Sequence, residues 1–181
     1  LQPEQVNISG MAVLYNNLLQ RLFKSQILTI AVVFIAILLM FTFLFRAIRL
    51  SIATIVPNMV AAGLILGLMG WIGIPLDIMT ITISAISIGI GVDDSIHYIH
   101  RFREEYAIDQ DYWPAIKRTH NSIGHALYYT TVTVVLGFSI LALSNFVPTI
   151  YFGLLSGLAM TTALIANLML LPILIVKFKL H

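Results

Sequence analysis

The chain has 181 residues, of which 59% are apolar and 10% charged, with a mean hydropathy of +0.96; this excludes a soluble domain and leaves a membrane protein. The net charge of +2 rests on ten Lys and Arg against eight Asp and Glu, and cations so few and so placed read as topology signals, not as a nucleic-acid surface. Cysteine is absent, which excludes disulfides, thiolate metal sites and thiol nucleophiles.

In chain order, an amphipathic stretch from Met11 to Lys24 leads into a first apolar run at 27–45, which has no cleavage site and so reads as a span, not as a signal peptide. Further runs follow at 52–71, 78–98, 126–143 and 150–176. Tyr15, Trp71, Trp113 and Tyr151 fall near span ends or in flanking segments, where interfacial aromatics collect. Pro57 beside Asn58 in the second run and Pro172 in the fifth are expected to break or bend their helices. Between the third and fourth runs, residues 101–121 mix Arg103, Glu104, Glu105, Asp109, Asp111, Lys117 and Arg118 with Phe102, Tyr106, Trp113 and Ile116. That mixture predicts a helix or helix pair at the membrane surface, broken near Pro114. The expected fold is an all-α membrane protein, a bundle of five transmembrane helices with a cytoplasmic surface helix between helices 3 and 4.

Arg46, Arg49, Arg101, Arg103, Lys117, Arg118, Lys177 and Lys179 fall in connections on one side, against Arg21 and Lys24 on the other. The excess predicts a cytoplasmic C-terminus and an N-terminus outside. Five spans is an odd number and the first residue is Leu1, so the chain is expected to be a piece of something larger.

The third run carries the chemistry. Asp93 and Asp94 follow an uncharged stretch from Ile78 to Val92. An ionised Asp at the bilayer centre costs about 2.5–3.5 kcal/mol on insertion scales, so an intramembrane acidic pair is a functional-site hypothesis. At 1.5 Å per residue Asp94 lies about 24 Å along the helix from Ile78, so hydropathy alone leaves open whether the pair is buried or faces water at the span's end. Spacing says more: Thr80, Ser84, Ser87, Gly91, Asp94 and Tyr98 recur every three or four residues and share one helix face, while Gly89, Asp93, His97 and His100 share another. Asp94 is therefore expected to face the bundle. In the fourth run Thr130, Thr133 and Gly137 form a similar small, hydroxyl-bearing face, although such Thr more often bond their own helix, and Asn167 in the fifth is an interhelical contact at least.

Asp93, Asp94, His97 and His100 have the spacing of a half-built metal site, but no further ligands are evident and no metal or other cofactor is expected. A proton relay uses the same residues, because burial and a neighbouring carboxylate both disfavour two charges at once. His97, one turn from Asp93, is the expected exit group. No Ser–His or His-Glu-x-x-His arrangement points to a hydrolase, and an enzyme is not expected.

The run Gly89 to Glu105, Gly-Ile-Gly-Val-Asp-Asp-Ser-Ile-His-Tyr-Ile-His-Arg-Phe-Arg-Glu-Glu, resembles the Asp-bearing helix of resistance-nodulation-division transporters, in the hydrophobe/amphiphile exporter and MMPL-type branch related to Patched and sterol-sensing proteins. Ile55-Val56-Pro57-Asn58, Thr130-Thr131 with Gly137-Phe138, and Pro148 to Gly153 support the resemblance. It implies one half of a pseudo-symmetric exporter of hydrophobic or lipid-like molecules, driven by the proton-motive force in a bacterial inner membrane. Residues 1–25 would be the exit from an absent extracytoplasmic domain and 26–181 the transmembrane bundle. Asp93 and Asp94 would carry the protons, with His97, Tyr98, Thr130 and Thr133 in support, and Gly89, Gly91 and Gly137 would pack helices. The partners implied are the bilayer, the other transmembrane half or further copies, and a lipid-like substrate. The alternative is a non-transporting module that senses lipid or assembles with a partner.

Overall fold

In lipid every backbone N–H and C=O has to be satisfied within its own segment, so apolar runs of this length fold as helices. The structure, a computed structural model, describes residues 11–74 and 78–179. Residues 1–10 of the expected exit segment 1–25, and residues 75–77 and 180–181, lie outside the described residues. The helices are α1 (Met11–Phe45), α2 (Ile48–Ile72), α3 (Ile78–Asp109), α4 (Tyr112–Thr119), α5 (His125–Leu141), α6 (Val147–Ile165) and α7 (Leu171–Phe178). A π-helical turn, His120–Gly124, joins α4 to α5, and a second, Ala166–Leu170, joins α6 to α7. Among the described residues four helical runs are long and apolar enough to cross a membrane: Ile27–Phe45, Ile48–Ile72, Tyr112–Leu141 and Val147–Phe178. The 32-residue α3, about 48 Å long at 1.5 Å per residue, has the length to join them.

Several boundaries differ from the expectation, each for a local reason. The amphipathic stretch from Met11 is continuous with the first span in one 35-residue helix. The connector breaks at Gln110, not at Pro114: Gln110 takes a left-handed φ of 54° and closes α3 with its N–H on the Tyr106 carbonyl at 2.9 Å. Asp111 then caps α4, its Oδ1 accepting from the Trp113 N–H at 3.1 Å. Pro114 falls in the first turn, where a missing N–H costs nothing. The connector is therefore shared between the end of α3 and a helix running on into α5, in place of a separate surface helix. Pro57 sits within an uninterrupted α2. Gly73, at φ 75°, ends that helix in the left-handed conformation that glycine adopts without strain.

α3 lies at the centre, packed on α2 and α6, while α5 leans on α6 and α1 on α2. The larger apolar core fills the cation-rich end, around Phe41, Leu50, Tyr98, Phe102 and Leu171. A smaller one, around Ile65, Met69, Ile83 and Leu155, fills the opposite end. At the basic end Arg118 closes the corner between α3 and α4: its guanidinium donates to Glu105 Oε2 at 2.6 Å and to both Asp109 carboxylate oxygens at 3.0 Å. That pairing holds the Asp109 carboxyl below the usual carboxylate range.

Candidate functional site

The two stripes of α3 have opposite fates. Ser87, Gly91, Asp94 and Tyr98 are buried, and Gly89, Asp93, His97 and His100 are exposed; the side chains of Thr80 and Ser84 lie outside the described residues. Adjacent carboxylates are thus held in different surroundings, Asp94 at 6% exposure and the Asp93 side chain at 70%. His97 Nε2 is 3.6 Å from Asp93 Oδ1, an ion pair only when the imidazole is protonated.

Both carboxylates open into a cleft of about 400 Å³ between α3 and α5, whose far wall is Leu127, Thr130, Thr131 and Val134, with Met160 of α6 at its base. Thr130 reaches the cleft, and its hydroxyl donates to the Leu127 carbonyl at 2.9 Å. Thr133 does not reach it: it is exposed and bonds the Tyr129 carbonyl at 2.9 Å. The buried hydroxyl on this wall belongs to Thr131, which the spacing of three and four passed over. Helical spacing defines a face but not the angle at which that face meets its neighbour.

Behind Asp94, on the other side of α3, lies a polar clamp across three helices. Asn58 Nδ2 donates to Ser95 Oγ at 2.9 Å, Ser95 Oγ lies 2.7 Å from Asn167 Oδ1, and Asn167 Nδ2 donates to the Gly91 carbonyl at 3.0 Å. All three side chains are almost fully buried. Asn58 and Asn167 stand out in the sequence as lone amides in apolar runs; Ser95 does not. Gly91 is required here, because a Cβ would run into Asn58 Oδ1 and touch the Ala163 Cβ at 3.5 Å. The other two glycines expected at helix contacts, Gly89 and Gly137, would place a Cβ in open space within the chain. The close approach of α5 and α6 is instead at Gly153, where a Cβ would lie 2.6 Å from the Phe138 carbonyl oxygen and 2.9 Å from Leu141 Cβ.

Tyr98, one turn beyond Asp94, is fully buried with its hydroxyl 3.1 Å from His120 Nδ1. No group of three His, Cys, Asp or Glu side chains gathers among the described residues. Chemically, the arrangement offers one inward carboxyl and one outward carboxyl, with hydroxyls and imidazoles within a turn.

Comparison with known proteins agrees with this architecture. A family model described as the MMPL family matches residues 1–178. The chain is 34% identical over 158 residues to a putative membrane protein of Methanocaldococcus jannaschii, covering 87% of this chain and 41% of that protein. It is 30% identical over 156 residues to the hopanoid transporter HpnN of Burkholderia multivorans, covering 80% of this chain and 17% of the relative. The chain thus spans less than half the length of either relative. No solved structure matches it. A match over nearly all of its length, on a multi-pass helical bundle, establishes that the chain belongs to the MMPL family.

Proposed function

We propose that this chain is the transmembrane part of a proton-motive-force-driven exporter of hydrophobic or lipid-like molecules, with Asp93 and Asp94 as its proton site. The observation that carries the reading is the placement of Asp94, buried within the bundle yet opening into a cleft beside the exposed Asp93. A carboxyl so placed changes its interactions with α5 when its charge is neutralised, which is how a proton biases helix packing. The hopanoid-transporter relative supports a lipid-like cargo. The other transmembrane half, or another copy, covers the open side of the cleft, since Asp93 and His97 facing hydrocarbon would be costly. The excess of cations at one end supports a cytoplasmic C-terminus in an inner membrane. No enzymatic step belongs to this reading.

Infrared difference spectroscopy of the chain in lipid, titrated with pH, tests it. A carboxylic C=O band that titrates in the native chain and is lost in Asp94→Asn supports a proton site. Absence of any such band would favour the other reading, a module that senses lipid or scaffolds a partner, which needs no titrating carboxyl.

A further inference from the structure

His120 occupies a position that the proton site above does not account for. It opens the π-helical turn between α4 and α5, and its Nε2 lies 2.9 Å from the carbonyl oxygen of Leu168, inside the second π-helical turn. Four residues on stands Pro172, which has no N–H and so cannot give that carbonyl an α-helical bond. π-Helical turns are rare and concentrate at functional sites, and here two of them are clasped by one imidazole.

The partners fix the chemistry of the ring. A carbonyl only accepts, so the neutral imidazole with its proton on Nε2 donates to Leu168, the shorter of its two carbonyl contacts at 2.9 Å against 3.1 Å to Ile116, and leaves Nδ1 as the acceptor. The buried Tyr98 hydroxyl, 3.1 Å away, donates to it. The Ile116 carbonyl also lies 3.1 Å from Nδ1, a contact that becomes a hydrogen bond only when Nδ1 holds a proton. Both the neutral ring and the imidazolium therefore have their partners already in place. The other charged groups near it are Lys177 of α7, which lines a second cleft together with His120, and, preceding it on α4, Lys117 and Arg118, the latter engaged by Glu105 and Asp109. The π-helical turn 166–170 contributes none. On its outer side His120 lines that second cleft, of about 400 Å³, with Trp113, Leu168, Pro172 and Lys177 at the basic end.

We propose that His120, reached through the Tyr98 hydroxyl, is the proton-exchange group between Asp94 and the basic end of the bundle. Tyr98 follows Asp94 by one turn on the same buried face, about 6 Å along the helix axis, and water carries the proton between them. A proton leaving Asp94 passes through that water to the Tyr98 oxygen as the hydroxyl's own proton passes to Nδ1. The resulting imidazolium donates from Nδ1 to Ile116 and loses its Nε2 proton to water in the outer cleft. One proton enters and one leaves, Tyr98 ends neutral, and exchange with water restores the starting tautomer. This route rests on the reading of Asp94 as a proton site, and it moves the exit from the exposed His97 to a residue on another helix.

The test is time-resolved infrared spectroscopy of the full chain in lipid nanodiscs, following the Asp94 carboxylic band after a pH jump. His120→Ala and Tyr98→Phe should each slow its decay about tenfold or more, His125→Gln should leave it at the native rate, and free imidazole should restore the rate of His120→Ala. Native rates in both variants, slowing by His97→Gln in their place, or a slow His120→Ala that imidazole does not rescue beside a native Tyr98→Phe, would each overturn the His120 route while leaving the proton site standing. A native chain with no titrating band removes the proton site itself and this route with it.

Discussion

The two sides of α3 use similar residues to opposite ends. Toward α2 and α6, Gly91 and Ser95 meet Asn58 and Asn167 in a clamp that leaves no space for a methyl group. Toward α5, Asp94 faces two threonines across an open cleft, and Thr130 spends its hydroxyl on its own helix. Polar groups that bond across helices hold them together, even though the buried Asn58 Oδ1 finds no partner in the clamp. A carboxyl left beside open volume has no fixed partner there, and that is the ground on which the proton site is proposed.

If that contrast is right, substitutions should separate cleanly by side. The largest loss is expected where the cleft's outer wall is anchored: in Gly153→Ala the new methyl meets a backbone carbonyl that cannot move aside, and should cost about 2–3 kcal/mol in reversible unfolding from mixed micelles. Next comes the clamp, where Asn167→Ala removes two interhelical bonds and leaves the Gly91 carbonyl with one partner fewer, a cost of about 1–2 kcal/mol by the same measurement. On the open side, Asp94→Asn keeps shape and removes charge, so unfolding free energy should stay within about 0.5 kcal/mol or rise. A loss as large as that of Asn167→Ala would mean that Asp94 is structural, and would end the contrast. Gly89→Ala and Gly137→Ala, facing open space, should lie within about 0.5 kcal/mol of the native chain. A larger cost when a partner half is present, and not in its absence, would locate the missing interface.

The smallest effect is at the basic corner. Asp109 is held below its ordinary range by Arg118, so the pairing contributes stability above the unfolded-state value, near pH 3.9, and loses it as pH falls through the lower folded value. The group is exposed, so the gain is small. Thermal unfolding followed from about pH 5 to 3 should fall slightly more for the native chain than for Asp109→Asn.

Much of this molecule follows from one-dimensional pattern. Apolar runs in a chain this poor in charge have to be helices, because hydrocarbon offers no other partner for the backbone. The period of three and four along Ser87, Gly91, Asp94 and Tyr98 identifies the face that is buried.

What the pattern does not carry is azimuth and register between helices. Thr133 and Gly137 share a stripe, yet α5 is rotated so that Thr131 is the buried hydroxyl and Gly153, across on α6, is the glycine at close approach. The π-helical turn ahead of α5 shifts that rotation by part of a turn, and no residue in it announces it. Ser95 and His120 acquire their meaning only from partners 37, 72 and 48 residues away. The sequence alone is enough to read a helical membrane bundle with an acidic pair on its third apolar run. Tertiary packing, a sum of contacts between segments distant in the chain, decided which carboxylate is enclosed and which groups stand beside it.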